Sequence, residues 1–185
     1  YLRNVATVLD GPQEATSHVR LTFGPAGAPP GIRVGEPFAA VTLGFAKEWL
    51  SANAGRPFFL FFHVFEPHRP YEPAERFLAE YGATYEAEIA TADAVVGELF
   101  EHLKALGVWE KAVVVVTSDH GEGLGEHGEE QHSLLLYREA IQVPLFLKLP
   151  GSRGRGTVVD APVQLSDLLP TVTGLLGLPT PAGVS

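Results

Sequence analysis

Residues 84–106 repeat one pattern. Tyr85, Ile89, Ala92, Val96, Leu99, Leu103 and Leu106 fall at alternating four- and three-residue steps. That spacing draws one apolar stripe along an α-helix. Thr84 is placed to cap it, Glu86 and Glu88 suit the positive end of its dipole, and Gly107 ends it. A shorter pattern after Pro37, with Phe38, Val41, Phe45 and Trp49 at helical spacing, predicts an earlier helix. Residues 58–62 are Phe-Phe-Leu-Phe-Phe, an apolar run with no alternation. It predicts a strand over about 57–62, buried on both faces as in a parallel sheet. Residues 112–117 predict a second strand. Residues 143–149 predict a third, which Pro144 assigns to a strand start or a sheet edge. A last helix is expected from Asp167, its N-cap, with Pro170 near the start, where a missing N–H costs nothing. Leu168, Val172, Leu175 and Leu176 form its apolar face, and Gly177 stops it.

Strand, helix, strand in that order implies a right-handed parallel crossover. Both strands would then deliver their following loops to one carboxyl edge, where open α/β sheets hold ligands. The expected fold class is α/β, a mostly parallel sheet flanked by helices. Residues 1–35 are poorly patterned, and the Gly- and Pro-rich stretch 24–31 reads as a connecting segment. Residues 36–185 carry the patterned part.

Composition narrows the function. A chain of 185 residues at 45% hydrophobic can bury a core, and one domain is the default. A net charge of -9 argues against general nucleic-acid binding, because no basic stripe is present to neutralise phosphates. No apolar run reaches the roughly 18 residues of a membrane span, and no N-terminal signal pattern is visible. The absence of cysteine excludes thiolate metal sites within these residues. The absence of methionine suggests that the start is missing, and the chain is expected to be a fragment or processed piece of something longer.

Three stretches carry candidate chemistry. Asp119-His120 offers an oxygen and a nitrogen ligand side by side, just after a predicted strand. Two groups cannot hold a divalent cation alone, since Ca²⁺ takes six or more oxygens and zinc about four ligands. The glycines of Gly121-Glu122-Gly123-Leu124-Gly125 allow a close approach to a ligand or a tight turn. The plainer reading of the dipeptide is that Asp119 caps a short helix and His120 bonds locally. In Pro67-His68-Arg69-Pro70-Tyr71 the prolines restrict the backbone around His68. An imidazole held there can bond an anionic ester or protonate a leaving oxygen; the alternative is a half-exposed turn histidine. His63 reads as a structural histidine. In Glu126-His127-Gly128-Glu129-Glu130-Gln131-His132, the acidic positions Glu129 and Glu130 read as solvated. His132, just before an apolar run, can reach back towards the cleft.

Taken in order, these pieces resemble the later part of a sulfatase catalytic domain, in the alkaline-phosphatase-like superfamily. The matching stretches are 58–63 with 67–71, then 115–122 with 124–128, then His132 with 136–139 and 143–145, and finally 162–163 with 167–171. The resemblance covers about residues 34–185. It implies that Asp119 and His120 are late metal ligands, for Ca²⁺ in sulfatases and for Zn²⁺ or Mn²⁺ in phosphoesterase-like relatives. It implies that His68 and His132 contact the sulfate ester or its leaving group. His127 matches a recurrent loop histidine to which no role is carried over. The family's nucleophile is a formylglycine made within Cys/Ser-x-Pro-x-Arg, and its early metal ligands are an Asp-Asp pair. Neither motif occurs in these 185 residues. The expectation is therefore an incomplete domain, inactive alone and lacking an N-terminal part that holds half of the active site. The resemblance leaves open a phosphate or phosphonate ester hydrolase, a phosphoethanolamine transferase, and a non-catalytic α/β module. A periplasmic or extracellular location is implied by the family alone.

Overall fold

The structure is a computed structural model, and it describes residues 8–10, 38–132, 134–180 and 183. The chain divides into two compact units, Tyr1–Trp109 and Glu110–Ser185.

In the first unit, β1 (Val8–Asp10) pairs antiparallel with β2 (Phe58–Leu60), Leu9 opposite Phe59. Three helices complete it: α1 (Phe38–Asn53), α2 (Glu75–Tyr81) and α3 (Tyr85–Ala105). The ends of α3 follow from its sequence. Thr84 is extended and its hydroxyl accepts from the Ala87 N–H at 3.3 Å. At the other end the chain leaves through Gly107, whose positive φ of 70° suits glycine. Both α1 and α2 pack on α3.

The buried faces are displaced from the sequence expectation. In α1 the buried positions are Ala39, Thr42, Leu43, Ala46, Leu50 and Asn53, while Val41, Phe45 and Trp49 are half-buried. This helix is apolar almost all round, so periodicity could not select its inner face. Leu43 and Leu50 join Ala39 in the contact with α3, and the aromatic Trp49 flanks it. In α3 the buried set is Ala87, Glu88, Thr91, Val95, Leu99 and Leu103. The stripe holds at Leu99 and Leu103 but is one residue out in the first half, where Ile89 is exposed. Ala39, Leu43, Leu50, Val95, Leu99 and Leu103 form the core, ringed by Trp49, Phe58, Leu60, Phe62 and Phe100 among others. Residues 58–62 are not buried on both faces: Phe59 and Phe61 are exposed, while Phe58, Leu60 and Phe62 turn to the core.

In the second unit, β3 (Val114–Thr117) pairs antiparallel with β4 (Leu145–Lys148), Val116 opposite Phe146. β4 begins directly after Pro144, as the proline required. A short helix, α4 (Arg138–Ile141), precedes it, and α5 (Leu168–Leu175) closes the unit. Asp167 stands at the N-cap position of α5, as expected, but its side chain makes no capping hydrogen bond to that helix. It ends a 3₁₀ turn, Leu165–Asp167, and its carboxylate accepts from the Gln164 N–H at 2.8 Å in a capping box. Gly177 ends the helix at φ 67°.

The predicted parallel crossover does not appear among the described residues. β2 and β3 belong to separate two-stranded sheets, and both sheets are antiparallel. An apolar run reports that a strand is covered, not which strand pairs with it. The partner of β2 comes from residues 8–10, which carry no strand signal in the sequence.

Candidate active site

The loop after β3 is built from backbone contacts that only glycine permits. The Gly121 N–H donates to the Ala140 carbonyl of α4 at 2.8 Å. A Cβ on Gly121 would stand 1.9 Å from the Glu139 carbonyl oxygen, which no side chain can meet. A Cβ on Gly123 would come within 2.8 Å of the Gln131 carbonyl oxygen. The glycines thus serve backbone-to-backbone packing, which folds 121–132 back against itself and against α4.

That packing brings Asp119, His120 and His132 together. The Asp119 Oδ1 accepts from the His120 N–H at 3.0 Å and lies 3.7 Å from His120 Nε2. The Asp119 side chain is 79% exposed. His120 Nδ1–H donates to the Gly121 carbonyl at 2.8 Å, so Nε2 is the acceptor nitrogen of the neutral ring. The His120 ring stacks on the His132 ring, centroids 3.9 Å apart and planes 28° apart. Beneath them the Glu122 carboxylate, 6% exposed, accepts from His132 Nδ1–H at 3.1 Å. A buried carboxylate on one ring nitrogen fixes both the tautomer and the orientation of the ring. Glu122 was not singled out from the sequence; its only signal was its place in the glycine-rich loop.

The acidic loop is braced throughout. Glu129 is not simply solvated: its carboxylate accepts from the Leu134 N–H at 3.0 Å and from the Leu135 N–H. His127 bonds the Glu139 carboxylate through Nδ1 and stacks on Tyr137 at 3.8 Å. Glu139 is held below the ordinary carboxylate range by its own backbone N–H and then by His127. These contacts tie the loop to α4. Among the described residues, no group of three or more His, Cys, Asp or Glu side chains could hold a metal ion.

His68 lies in the first unit, on the loop between β2 and α2. Its Nδ1–H donates to the Arg69 carbonyl at 2.6 Å, and its ring lies 4.5 Å from that of Phe65. The peptide bonds before Pro67 and Pro70 are cis. Two buried carboxylates flank this loop, and neither was expected to be buried. Glu66 Oε1 accepts from the Ala39 N–H in the first turn of α1 at 3.2 Å. Glu88 Oε1 accepts from the Glu72 N–H. Burial pushes the Glu88 carboxyl up to about 7 against the pull of the Glu72 N–H, and the charges of Glu66 and Glu72 push the same way.

Comparison with known proteins places the chain in a family. The family described as Sulfatase matches residues 6–178, and the chain belongs to that family. It is 34% identical over 102 residues to the ulvan-active sulfatase of Formosa agariphila, covering 54% of this chain and 20% of that protein. It is 34% identical over 111 residues to arylsulfatase K of Bos taurus, covering 60% and 20%. The match to the endo-4-O-sulfatase of Bacteroides thetaiotaomicron is 28% over 150 residues, covering 66% and 29%. Among solved structures, yidJ of Bacteroides fragilis superposes with a TM-score of 0.73 at 23% identity, covering 80% of this chain and 39% of that one. That likeness gives the α/β fold. The matches span a fifth to under a third of the curated relatives' length. No helix among the described residues is long and apolar enough to cross a membrane.

Proposed function

We propose that this chain is the later part of a metal-dependent sulfatase catalytic domain, and that the whole protein hydrolyses a sulfate monoester. The observation that carries the reading is the cluster of Asp119, His120 and His132 on the loop that leaves β3, in a chain of the sulfatase family. In this reading Asp119 and His120 are two ligands of a divalent cation, Ca²⁺ by the family resemblance. The residues present suit that role. Two atoms 3.7 Å apart can share one cation at ligand distances of about 2.0–2.6 Å. The Nδ1–H of His120 is held by a carbonyl, which leaves Nε2 to ligate, as metal-bound histidines require. Two donors do not complete a coordination sphere, and the others are assigned to residues beyond those described.

The cation would supply positive charge where the sulfuryl oxygens gather negative charge. The chain's own groups do the rest. His68 hydrogen-bonds the ester. His132, oriented by Glu122, holds or delivers a proton at the leaving oxygen. The nucleophile is not among these 185 residues, so the chain by itself is expected to turn over no sulfate ester. Phosphate or phosphonate ester chemistry would use the same four side chains. The similarity to the ulvan-active sulfatase, arylsulfatase K and the endo-4-O-sulfatase favours sulfate.

The test is an assay of the full-length protein on sulfate and phosphate monoesters, before and after chelation. Sulfate turnover that is lost on chelation and restored by Ca²⁺ is expected. Asp119→Ala should cost calcium affinity by calorimetry and most of the turnover. A preference for phosphate esters would reassign the substrate. Absence of cation binding would make the loop a scaffold without chemistry. Turnover by the isolated 185-residue chain would overturn its assigned inactivity.

A further inference from the structure

The loop that carries His68 is held at both ends by buried polar side chains. On its upstream side, Glu66 reaches α1 and takes the Ala39 N–H, a first-turn donor that the helix cannot satisfy itself. On its downstream side, two residues of α3 reach up to the loop backbone. Glu88 takes the Glu72 N–H, and Thr91 Oγ1 takes the Ala74 N–H at 3.0 Å while donating to the Ala87 carbonyl at 2.9 Å. Ala74 is also the residue from which α2 starts.

Helix stability does not explain the burial of Glu88. A carboxylate in the first turns of a helix helps the dipole from the surface. Glu88 instead points inward, 2% exposed, and gives up its water shell. Glu66 Oε2 and Glu88 Oε2 are both buried without a hydrogen-bond partner. A buried polar atom without a partner is costly, and this unit tolerates two of them on either side of one loop. The charges that act on Glu88 are those of Glu66 and Glu72, both of the loop. Lys47 of α1 is paired with Glu98 at 3.0 Å, and Arg76 of α2 lies over the Phe77 ring, so neither cation is committed to Glu88. The rings of Tyr71 and Tyr85, 6.1 Å apart, add a further tie between loop and helix.

We propose that Glu88 and Thr91 are positioning residues for His68: from successive turns of α3 they clamp the backbone at Glu72 and Ala74, while Glu66 clamps the other end on α1. This rests on the reading of His68 as a substrate contact, and it adds residues that touch no substrate. A loop held at three points keeps its imidazole in place before the ester arrives, which is how fixed geometry contributes to rate.

The experiment reads position and activity separately, in the full-length protein. Amide exchange at Glu72 and Ala74 reports the clamp, and kcat and KM on a sulfate ester report its use. Glu88→Ala should speed exchange at Glu72 at least tenfold, and Thr91→Val should do the same at Ala74. Glu88→Gln keeps a carbonyl acceptor in the same volume and should preserve protection, as should Thr91→Ser. The Ala and Val variants should lower kcat/KM at least tenfold, and the Gln and Ser variants should restore most of it. Unchanged exchange in Glu88→Ala and Thr91→Val would overturn the clamp, whatever the activity. Lost protection with unchanged kinetics would overturn the positioning role. If His68→Ala itself left kcat and KM unchanged, the reading of His68 would fall, and exchange alone would still decide the clamp. Should Glu88→Ala not fold, Thr91→Val and its Ser rescue carry the same decision.

Discussion

Asp119, His120 and His132 were each legible as single residues, but their partners were not. A histidine in a polar loop signals chemistry by type. The carboxylate that orients it is one acidic residue among several, and only the folded loop selects Glu122 rather than Glu126 or Glu130. The dyad makes a graded prediction for the full-length protein. If His132 handles the proton as proposed, His132→Ala should lower kcat/KM by roughly 10²–10⁴-fold. Glu122→Gln keeps the shape and an acceptor oxygen but loses the charge, and should fall between that variant and wild type. Steady-state kinetics of the pair decide it. A Glu122→Gln enzyme equal to wild type would leave Glu122 a packing residue.

For the longer elements, existence and several ends were written locally, and inner faces were not; the short β1, α2 and α4 carried no signal that was read. Thr84, Gly107 and Gly177 act within a few residues of themselves, so the ends of α3 and the stop of α5 could be read directly. The face that α1 buries depends on α3, and the first half of α3 presents Glu88 and Thr91 to the backbone of the His68 loop. That is why Ile89 is outside and Glu88 inside. Leu50, fully buried between these helices, should cost about 2–5 kcal/mol when cut to Ala; chemical denaturation measures it. Glu88 makes a prediction with a definite sign. Its folded value, about 7, lies above its ordinary 4.5, so the folded state binds the proton more tightly. Its contribution is therefore full below about pH 4.5 and is lost as pH rises to about 7. Thermal midpoints of wild type and Glu88→Gln over pH 4–8 should diverge in that window, wild type losing ground as pH rises. Parallel curves would show that Glu88 is not the titrating group.

At the scale of the whole molecule, the second unit has little interior of its own. Its buried apolar and hydroxyl side chains among the described residues are few and small, Ala140 and Thr173, beside the enclosed Glu122 carboxylate. Leu134, Leu136, Phe146, Val158 and Val159 are each more than 60% exposed, far from the usual state of large apolar groups. The isolated 185-residue chain is therefore predicted to self-associate. Multi-angle light scattering across a range of concentrations checks this, and a monodisperse monomer at all of them would count against it.

Sequence alone determined whatever depends on neighbours in the chain: the three longest helices, the stops of α3 and α5, the strand that begins after Pro144, the loops rich in histidine, and, through several motifs in a fixed order, the family. Tertiary structure decided what depends on partners far along the chain. It paired β2 with residues 8–10 and β3 with β4, both antiparallel, where apolar runs had implied one parallel crossover. It gave Gly121 and Gly123 to backbone packing, and it turned Glu66, Glu88 and Glu122 inward. Pairing direction and the inward turn of a charged side chain are set by which distant backbone groups remain to be satisfied, and no local pattern encodes that.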